Sequence, residues 1–180
     1  YQKDVKNLVR ENQNKINTFR LKKKDGTEIW VEDHGWYSLN EKGQIIIHEG
    51  IMRDVTERRK AEKAIADERI LLKTLINNIP DLIYVKDTQA RKIISNKADL
   101  EIMGYSSEDE VIGKSDFDFY DQKFAEKTFA EDMNVIQTGI PIINKVELIT
   151  SSKGEEKYIS TSKVPLINDS GEIIGLVGVG

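Results

Sequence analysis

Residues 19–55 read FRLKKKDGTEIWVEDHGWYSLNEKGQIIIHEGIMRDV and residues 146–180 read VELITSSKGEEKYISTSKVPLINDSGEIIGLVGVG. At one offset of 128, Gly26 falls on Gly154, Trp30 on Tyr158, Val31 on Ile159, Gly43 on Gly171, Ile46 on Ile174 and Gly50 on Gly178, with one extra residue ahead of Gly154. Glycines that recur at matched positions impose matched backbone demands, a left-handed turn or a close approach between strands, so the coincidences argue for duplication. Each segment places Gly-containing turns between runs rich in β-branched and aromatic residues: Asp25-Gly26 and Lys42-Gly43 in the first, Lys153-Gly154 and Ser170-Gly171 in the second. Such a pattern predicts an antiparallel meander of three strands. The chain therefore reads as the second half of one unit, a connector, and most of a second unit.

Working outward, a helix is expected ahead of the first meander. The segment TERRKAEKAIADERILLKTLINNI at 56–79 has neither Gly nor Pro and consists mostly of strong helix formers. A heptad seam runs through Ala61, Ile65, Glu68, Leu72, Leu75 and Ile79, with Glu68 its one polar member, and a rod of roughly 35 Å with one apolar seam wants a partner. The other reading is a helix lying across an adjacent sheet. Two further strands are expected at Leu82–Lys86 and Lys92–Ser95. Asn96 is placed to cap a helix over Lys97–Met103 with Asp99 as its capping-box partner, and Ser106 or Ser107 to start a turn through Val111. A longer amphipathic helix is expected from about Asp121 to Thr138, burying Phe124, Phe129, Met133, Val135 and Ile136 and stopped by Gly139 and Pro141. The domain boundaries that follow are 1–55, a helical linker over 56–79, and 80–180.

Composition removes several function classes. The 180 residues contain no cysteine, which excludes disulfides, thiolate metal sites, cysteine nucleophiles and cysteinyl adducts and suits a reducing cytoplasm. No apolar run reaches the length needed to cross a bilayer, so no direct membrane contact is expected. The net charge of −4 divides into +3 over residues 1–80 and −7 over residues 81–180. A basic excess of that size, with Lys22, Lys23 and Lys24 as its one run beside a turn, is too weak for a nucleic-acid partner. Asp116, Asp118, Asp121 and Asp132 do not follow a calcium-loop spacing and read as helix caps and solvated faces, leaving no metal site. No nucleophile elbow, phosphate-binding glycine loop or two-histidine metal motif occurs, so this chain is not expected to be an enzyme.

The order of elements, with DVTERRKAE at 54–62, resembles the PAS family of sensory domains and the PAC segment at their C-terminal end. NNIPDLIYVKD at 77–87, NKA at 96–98, VIGKSDFDFY at 111–120 and TSKVPLINDSGEIIGLVGV at 161–179 carry the same likeness through the second unit. The resemblance implies an α+β fold: a five-stranded antiparallel sheet with helices on one face, preceded by the connector helix and a partial unit of the same kind. It further implies a cavity between sheet and helices that in many relatives holds a small ligand. By the offset of 128, the second counterpart of Asp54-Val55-Thr56 falls at 182–184.

That Asp-Val-Thr motif marks where a strand becomes a helix. Asp54 or Thr56 can accept from free backbone N–H groups, Asp54 can pair with Arg58 or Arg59, and Asp54, Val55, Thr56 and Arg58 become the signal junction; the plainer reading is a helix cap. His34 and His48 are the only histidines and both lie in the first unit, so the second has no imidazole for haem, and the lack of cysteine removes cysteinyl-flavin photochemistry. The cofactor stays unknown, with non-covalent flavin or an unidentified small organic ligand open. Strand parity nominates Ile83, Val85, Ile159, Thr161 and Lys163 as pocket walls, joined by Tyr120, Phe129, Met133 and Ile136 from the helical side. An inward Lys163 requires an anion or carboxylate partner; the alternative is an exposed edge lysine. The function expected is a sensory or regulatory module of a prokaryotic signalling protein, a sensor histidine kinase before others, with a homodimer through linker helix and sheet face and an output domain downstream in the same chain. The alternative is a ligand-free dimerisation or docking module of a diguanylate cyclase or transcription regulator.

Overall fold

The computed structural model describes residues 16–42, 44–151 and 154–180. The helix expected ahead of the first strand, Gly43 and Lys153 lie outside them. The chain divides into two compact units at Arg69/Ile70.

The first unit is a three-stranded antiparallel sheet in the order β1-β2-β3, with β1 at Asn17–Lys22, β2 at Glu28–Leu39 and β3 at Ile45–Asp54. Among the described residues, Val31 and Asp33 on β2 and Val55 just after β3 are its buried side chains. Helix α1, Thr56–Asn77, starts directly after β3 and buries none of its side chains.

The second unit has a five-stranded antiparallel sheet in the order β5-β4-β8-β7-β6. Its elements are β4 (Ile83–Asp87), β5 (Lys92–Ser95), α2 (Lys97–Met103), 3-10 turns at Glu108–Glu110 and Asp116–Asp118, α3 (Gln122–Thr138), β6 (Ile142–Thr150), β7 (Glu156–Ile167) and β8 (Ile173–Val179). Asn96 caps α2 by accepting from the Asp99 N–H at 3.0 Å, Ser107 caps the first 3-10 turn, and Asp121 caps α3 by accepting from Phe124. Gly139 ends α3 in the left-handed region at φ 71°. Ala90, Val135, Ile136 and Leu176 form the apolar core, with Tyr84, Phe129, Met133, Ile142 and Ile173 packed against it.

The repeat holds down to individual pairings. Phe19 faces Val31 and His34 faces Ile51 in the first sheet; Glu147 faces Ile159 and Ser162 faces Val179 in the second, each at the same offset of 128. Trp30 pairs with Arg20 and Tyr158 with Leu148, so the two aromatics occupy the same place in the two sheets. The extra residue expected ahead of Gly154 is absent: Lys23 N–H donates to Thr27 at 2.7 Å and Ser151 N–H to Glu155 at 2.8 Å, closing loops of equal length. The next turns match as well. Asn40 Oδ1 accepts from the N–H of Lys42 and Gln44, and Asn168 Oδ1 from those of Ser170 and Glu172, an asparagine device the glycine pattern alone did not point to.

Candidate functional site

The polarity of β4 decides what the second unit encloses. In Ile83-Tyr84-Val85-Lys86 the sequence favours turning the aliphatic pair inward, and the structure does the reverse. Tyr84 and Lys86 line a cavity between sheet and helices. By alternation Ile83 and Val85 lie on the outer face, where they pair with Val179 and Val177 of β8. The reversal follows from the helical side. Asp132 sits on the buried stripe of α3 with Ala125, Thr128, Val135 and Ile136, and an isolated buried carboxylate requires a cation.

Two lysines reach it. Lys86 Nζ donates to Asp132 Oδ2 and to Asp116 Oδ1, both at 2.6 Å, and Lys163 Nζ donates to Asp132 Oδ1 at 2.7 Å. Lys163 is thus an inward residue with a carboxylate partner, and Glu131 stands 3.4 Å away as a second. Asp132 is 0% exposed and Asp116 4%, so these two are not the solvated carboxylates expected; Asp118 and Asp121 are caps. Burial raises the Asp116 carboxyl, but Lys86 beside it outweighs this and holds it below its ordinary range; burial lowers the Lys86 ammonium, and Asp116 and Asp132 outweigh that and hold it above.

A second cluster adjoins the first. Lys92 of β5, 2% exposed, donates to Asp99 Oδ2 at 2.6 Å, and Ser95 Oγ donates to the same oxygen. Asp99 is the one carboxylate within ion-pair reach of Lys92 among the described residues, and burial leaves this ammonium below its ordinary value despite Asp99. The Tyr84 ring lies under both ammoniums, 4.5 Å from Lys92 Nζ and 5.4 Å from Lys86 Nζ to the ring centroid. Burial, reinforced by Asp132 and Asp116, pushes the Tyr84 phenol well above its ordinary value. Gly178 makes room for that ring, because a Cβ there would lie 2.1 Å from Tyr84 Cζ.

The cavity measures ≈60 Å3. Leu82, Ile102, Tyr120, Phe124, Ile149 and Ile159 form its apolar walls; Lys86, Lys92, Asp99, Asp116, Thr128, Glu147, Thr161 and Lys163 supply the polar ones. Thr161, 3% exposed, has a side-chain oxygen without a hydrogen-bond partner among the described residues. Of the pocket residues nominated from sequence, Ile159, Thr161, Lys163 and Tyr120 line this space, while Phe129, Met133 and Ile136 pack in the core. Tyr84, Lys86, Lys92, Asp99 and Asp116 were missed. A helical-stripe count that included polar residues would have exposed Asp132 and with it the need for inward lysines.

Asn96 connects this site to helix α1. Wholly buried, it donates from Nδ2 to the carbonyls of Ile76 and Asp81, both at 2.9 Å, while its Oδ1 accepts from Ile83 and Asp99. Asn77 Oδ1 accepts from the Lys97 N–H at 2.9 Å, and Lys73 pairs with Glu108 at 2.6 Å. The last turn of α1 is therefore bound to the β5–α2 junction, one residue pair from Lys92. The expected capping-box role of Asp99 is overridden: its carboxylate serves Lys92 and Ser95, and the Asn96 N–H goes to the Ile83 carbonyl.

At the first unit's strand–helix junction, Asp54 Oδ1 accepts from the Thr56 N–H at 3.0 Å, Thr56 Oγ1 accepts from the Trp30 N–H at 2.8 Å, and Val55 is buried. The expected pairing of Asp54 with Arg58 or Arg59 does not form. Lys23 lies 3.8 Å from Asp54, Arg58 pairs with Glu32 and Glu62, and Arg59 stacks over Trp30 at 4.2 Å. Along α1, Ile65, Leu72 and Leu75 are exposed; Ile79 of the expected seam lies past the helix end, because α1 stops at Asn77. Among the described residues no cluster of carboxylates and imidazoles could hold a metal ion, and no helix is long and apolar enough to cross a membrane.

Comparison with known proteins accords with this geometry. A family model described as PAS fold matches residues 76–180, and one described as PAS domain matches residues 1–57. A diguanylate cyclase of Vibrio cholerae is 24% identical over 125 residues, 68% of this chain and 39% of that protein. The virulence sensor protein BvgS of Bordetella pertussis is 28% identical over 93 residues, 44% of this chain and 7% of that protein. The methanogenesis regulatory histidine kinase FilI of Methanothrix harundinacea is 25% identical over 128 residues, 71% and 14%. The chain thus spans 39% or less of these relatives' own length. Among solved structures, VqmA bound to DPO superposes with a TM-score of 0.56 at 22% identity, over 62% of this chain and 55% of that one. The PAS domain of Bordetella pertussis BvgS superposes with 0.50 at 24% identity, over 62% and 83%. With a sheet order, a helical cover and a family match over more than half its length that all agree, this chain belongs to the PAS family of sensory domains.

Proposed function

We propose that the chain is the sensory module of a prokaryotic signal-transduction protein, a sensor histidine kinase by preference, in which a small organic molecule occupies the cavity of the second unit and biases the helices that leave it. The observation that carries this reading is a cavity of ≈60 Å3 in which the hydroxyl of Thr161 is buried without a partner. A buried polar group in that condition costs about 1–3 kcal/mol, which a ligand group that bonds it recovers. The volume leaves room for roughly two to four waters or a guest of similar size. A route outward runs from Lys92 through Asp99 and Asn96 to the Ile76 carbonyl in the last turn of α1. Asp54, Val55, Thr56 and Arg58 supply the corresponding junction after the first unit, and the module works on the cytoplasmic side with an output domain in the same chain. The experiment is native mass spectrometry of the purified protein: a small molecule that stays bound under gentle ionisation and leaves on denaturation supports the reading. A bare mass, with a crystal structure holding only water at Thr161, removes it.

A second reading rests on a separate observation. Tyr158, Val146 and Leu148 on the outer face of β6 and β7 are exposed, Tyr158 at 78%, as are Ile65, Leu72 and Leu75 on α1. These surfaces support a homodimer formed through linker helix and sheet face. Light scattering on Leu72→Glu and Leu75→Glu tests it: monomeric variants of a dimeric parent support the reading, and an unchanged mass discards the helix as the interface.

A further inference from the structure

We infer that α1 pairs with α1 of a second copy of this chain in parallel and in register, with Glu68 of each copy bonded to Arg69 of the other. The inference rests on the homodimer reading above and adds to it an orientation and a register. Exposure comes first. The seam residues within the helix are Ala61, Ile65, Glu68, Leu72 and Leu75, and α1 buries none of its side chains. Ile65 is 61% exposed and Leu72 and Leu75 are each 54% exposed, a stripe whose heptad spacing suits a facing helix with the same stripe. What α1 does contact lies elsewhere on its circumference. Lys73 pairs with Glu108, and Asn77 accepts from the Lys97 N–H; at about 100° per residue these two positions lie roughly 120–160° around the helix from the seam. The contacts to the second unit and the seam can therefore be used together.

Charge comes second. The alternating steps of four and three put Ile65 and Leu72 at position a, Ala61, Glu68 and Leu75 at d, and Arg69 at e. A parallel pair in register sets Glu68 against Glu68, a repulsion by itself, but the d side chain of one helix also meets the e side chain of the other. Arg69 of the second copy is that side chain, and two-fold symmetry closes the Glu–Arg pair on both sides of the layer. Both residues are exposed and neither has an ion-pair partner among the described residues, whereas Arg58, Lys60 and Lys73 of the same helix each have one. The antiparallel alignment that keeps the seam continuous sets Ile65 against Leu75 and Glu68 against Leu72. Each carboxylate would then rest on an aliphatic side chain, a costlier place for a charge. One polar layer in an otherwise apolar seam fixes register at some expense of affinity.

The chain has no cysteine of its own, so an introduced one reports alignment. Leu75→Cys and, separately, Ile65→Cys are made in the whole chain and oxidised gently in dilute solution. Each is expected to give a disulfide-linked dimer, because parallel helices in register bring like positions side by side. In the antiparallel alignment two copies of either position stand about 15 Å apart along the axis, beyond disulfide reach. Charge exchange tests the pair. Glu68→Arg alone and Arg69→Glu alone are each expected to raise the dimer dissociation constant about fivefold or more in analytical ultracentrifugation, and the double variant to return most of that loss. All four positions are exposed, so each variant is expected to keep the parent's circular dichroism. A dimer that links only when the two cysteine variants are mixed, single charge variants that associate like the parent, or a double variant no tighter than either single one overturns the inference and leaves the homodimer reading standing. A parent chain that stays monomeric at every concentration overturns both.

Discussion

Asp132→Asn replaces a carboxylate by an isosteric amide at a site 0% exposed, where Lys86 lies at 2.6 Å and Lys163 at 2.7 Å. The substitution removes the carboxylate that Lys86 and Lys163 share in the interior. Removing one partner of a buried pair costs about 3–5 kcal/mol. The lower end applies here, because Lys86 retains Asp116 at 2.6 Å and Lys163 retains Glu131 at 3.4 Å, so neither ammonium is stranded. A loss of about 3 kcal/mol lowers Tm by roughly 12–24 °C in a domain of this size. Urea unfolding followed by circular dichroism measures it, and the midpoint should fall with little change in m-value. The double variant Asp132→Asn with Lys163→Met restores charge balance and leaves the Lys86–Asp116 pair whole, so at least half of the lost stability should return despite the second substitution. A cost below about 1 kcal/mol for the single variant, or a double variant less stable than the single one, would refute the claim that charge balance holds this interior together.

Other tests follow from the same geometry. Asp116 and Glu147 are both held below their ordinary values of 3.8 and 4.5 by adjacent lysines that overcome burial; the stability they contribute is fully present above about pH 5.5 and drains as pH falls through 4.5 and below, which an acid titration of Tm follows. Gly178→Ala forces a Cβ to within 2.1 Å of the Tyr84 ring, costing about 1–3 kcal/mol and altering the near-ultraviolet dichroism. Asn96→Ala removes the Nδ2 bonds to Ile76 and Asp81 and should cost about 2 kcal/mol, with faster amide exchange across residues 73–79. Asp54→Ala should lower stability slightly as a lost cap while uncoupling signal from output in a parent protein; normal signalling there would argue against a role beyond capping.

The sheets were legible because glycine and strand propensity act locally. The turns at Asp25-Gly26 and Ser170-Gly171 need a left-handed residue, and the sequence supplies it at matched spacing. The helices after Asn96 and Asp121 were legible for the same reason, since their caps lie next to them in the chain. The interior was less so. Whether Tyr84 and Lys86 or Ile83 and Val85 face inward depends on Asp116 and Asp132, dozens of residues away, and alternation alone is symmetric between the two faces. Hydrophobicity then favours the wrong side, because the outer face of this sheet is itself apolar. The junction pairs failed similarly: Glu32, which claims Arg58, lies on a neighbouring strand rather than near it in sequence.

Two meanders with identical pairings in one polypeptide raise a problem of identity during folding, because backbone register alone does not tell β2 from β7. The side chains do. Gly35 occupies the place of Lys163 and Asp33 that of Thr161. A foreign strand inserted beside β8 would therefore offer Asp132 a glycine in place of its base and set a further acid at the place of Thr161. The buried ions thus work as a lock that only the native hairpin opens, and sibling exchange is discouraged by electrostatics rather than by shape.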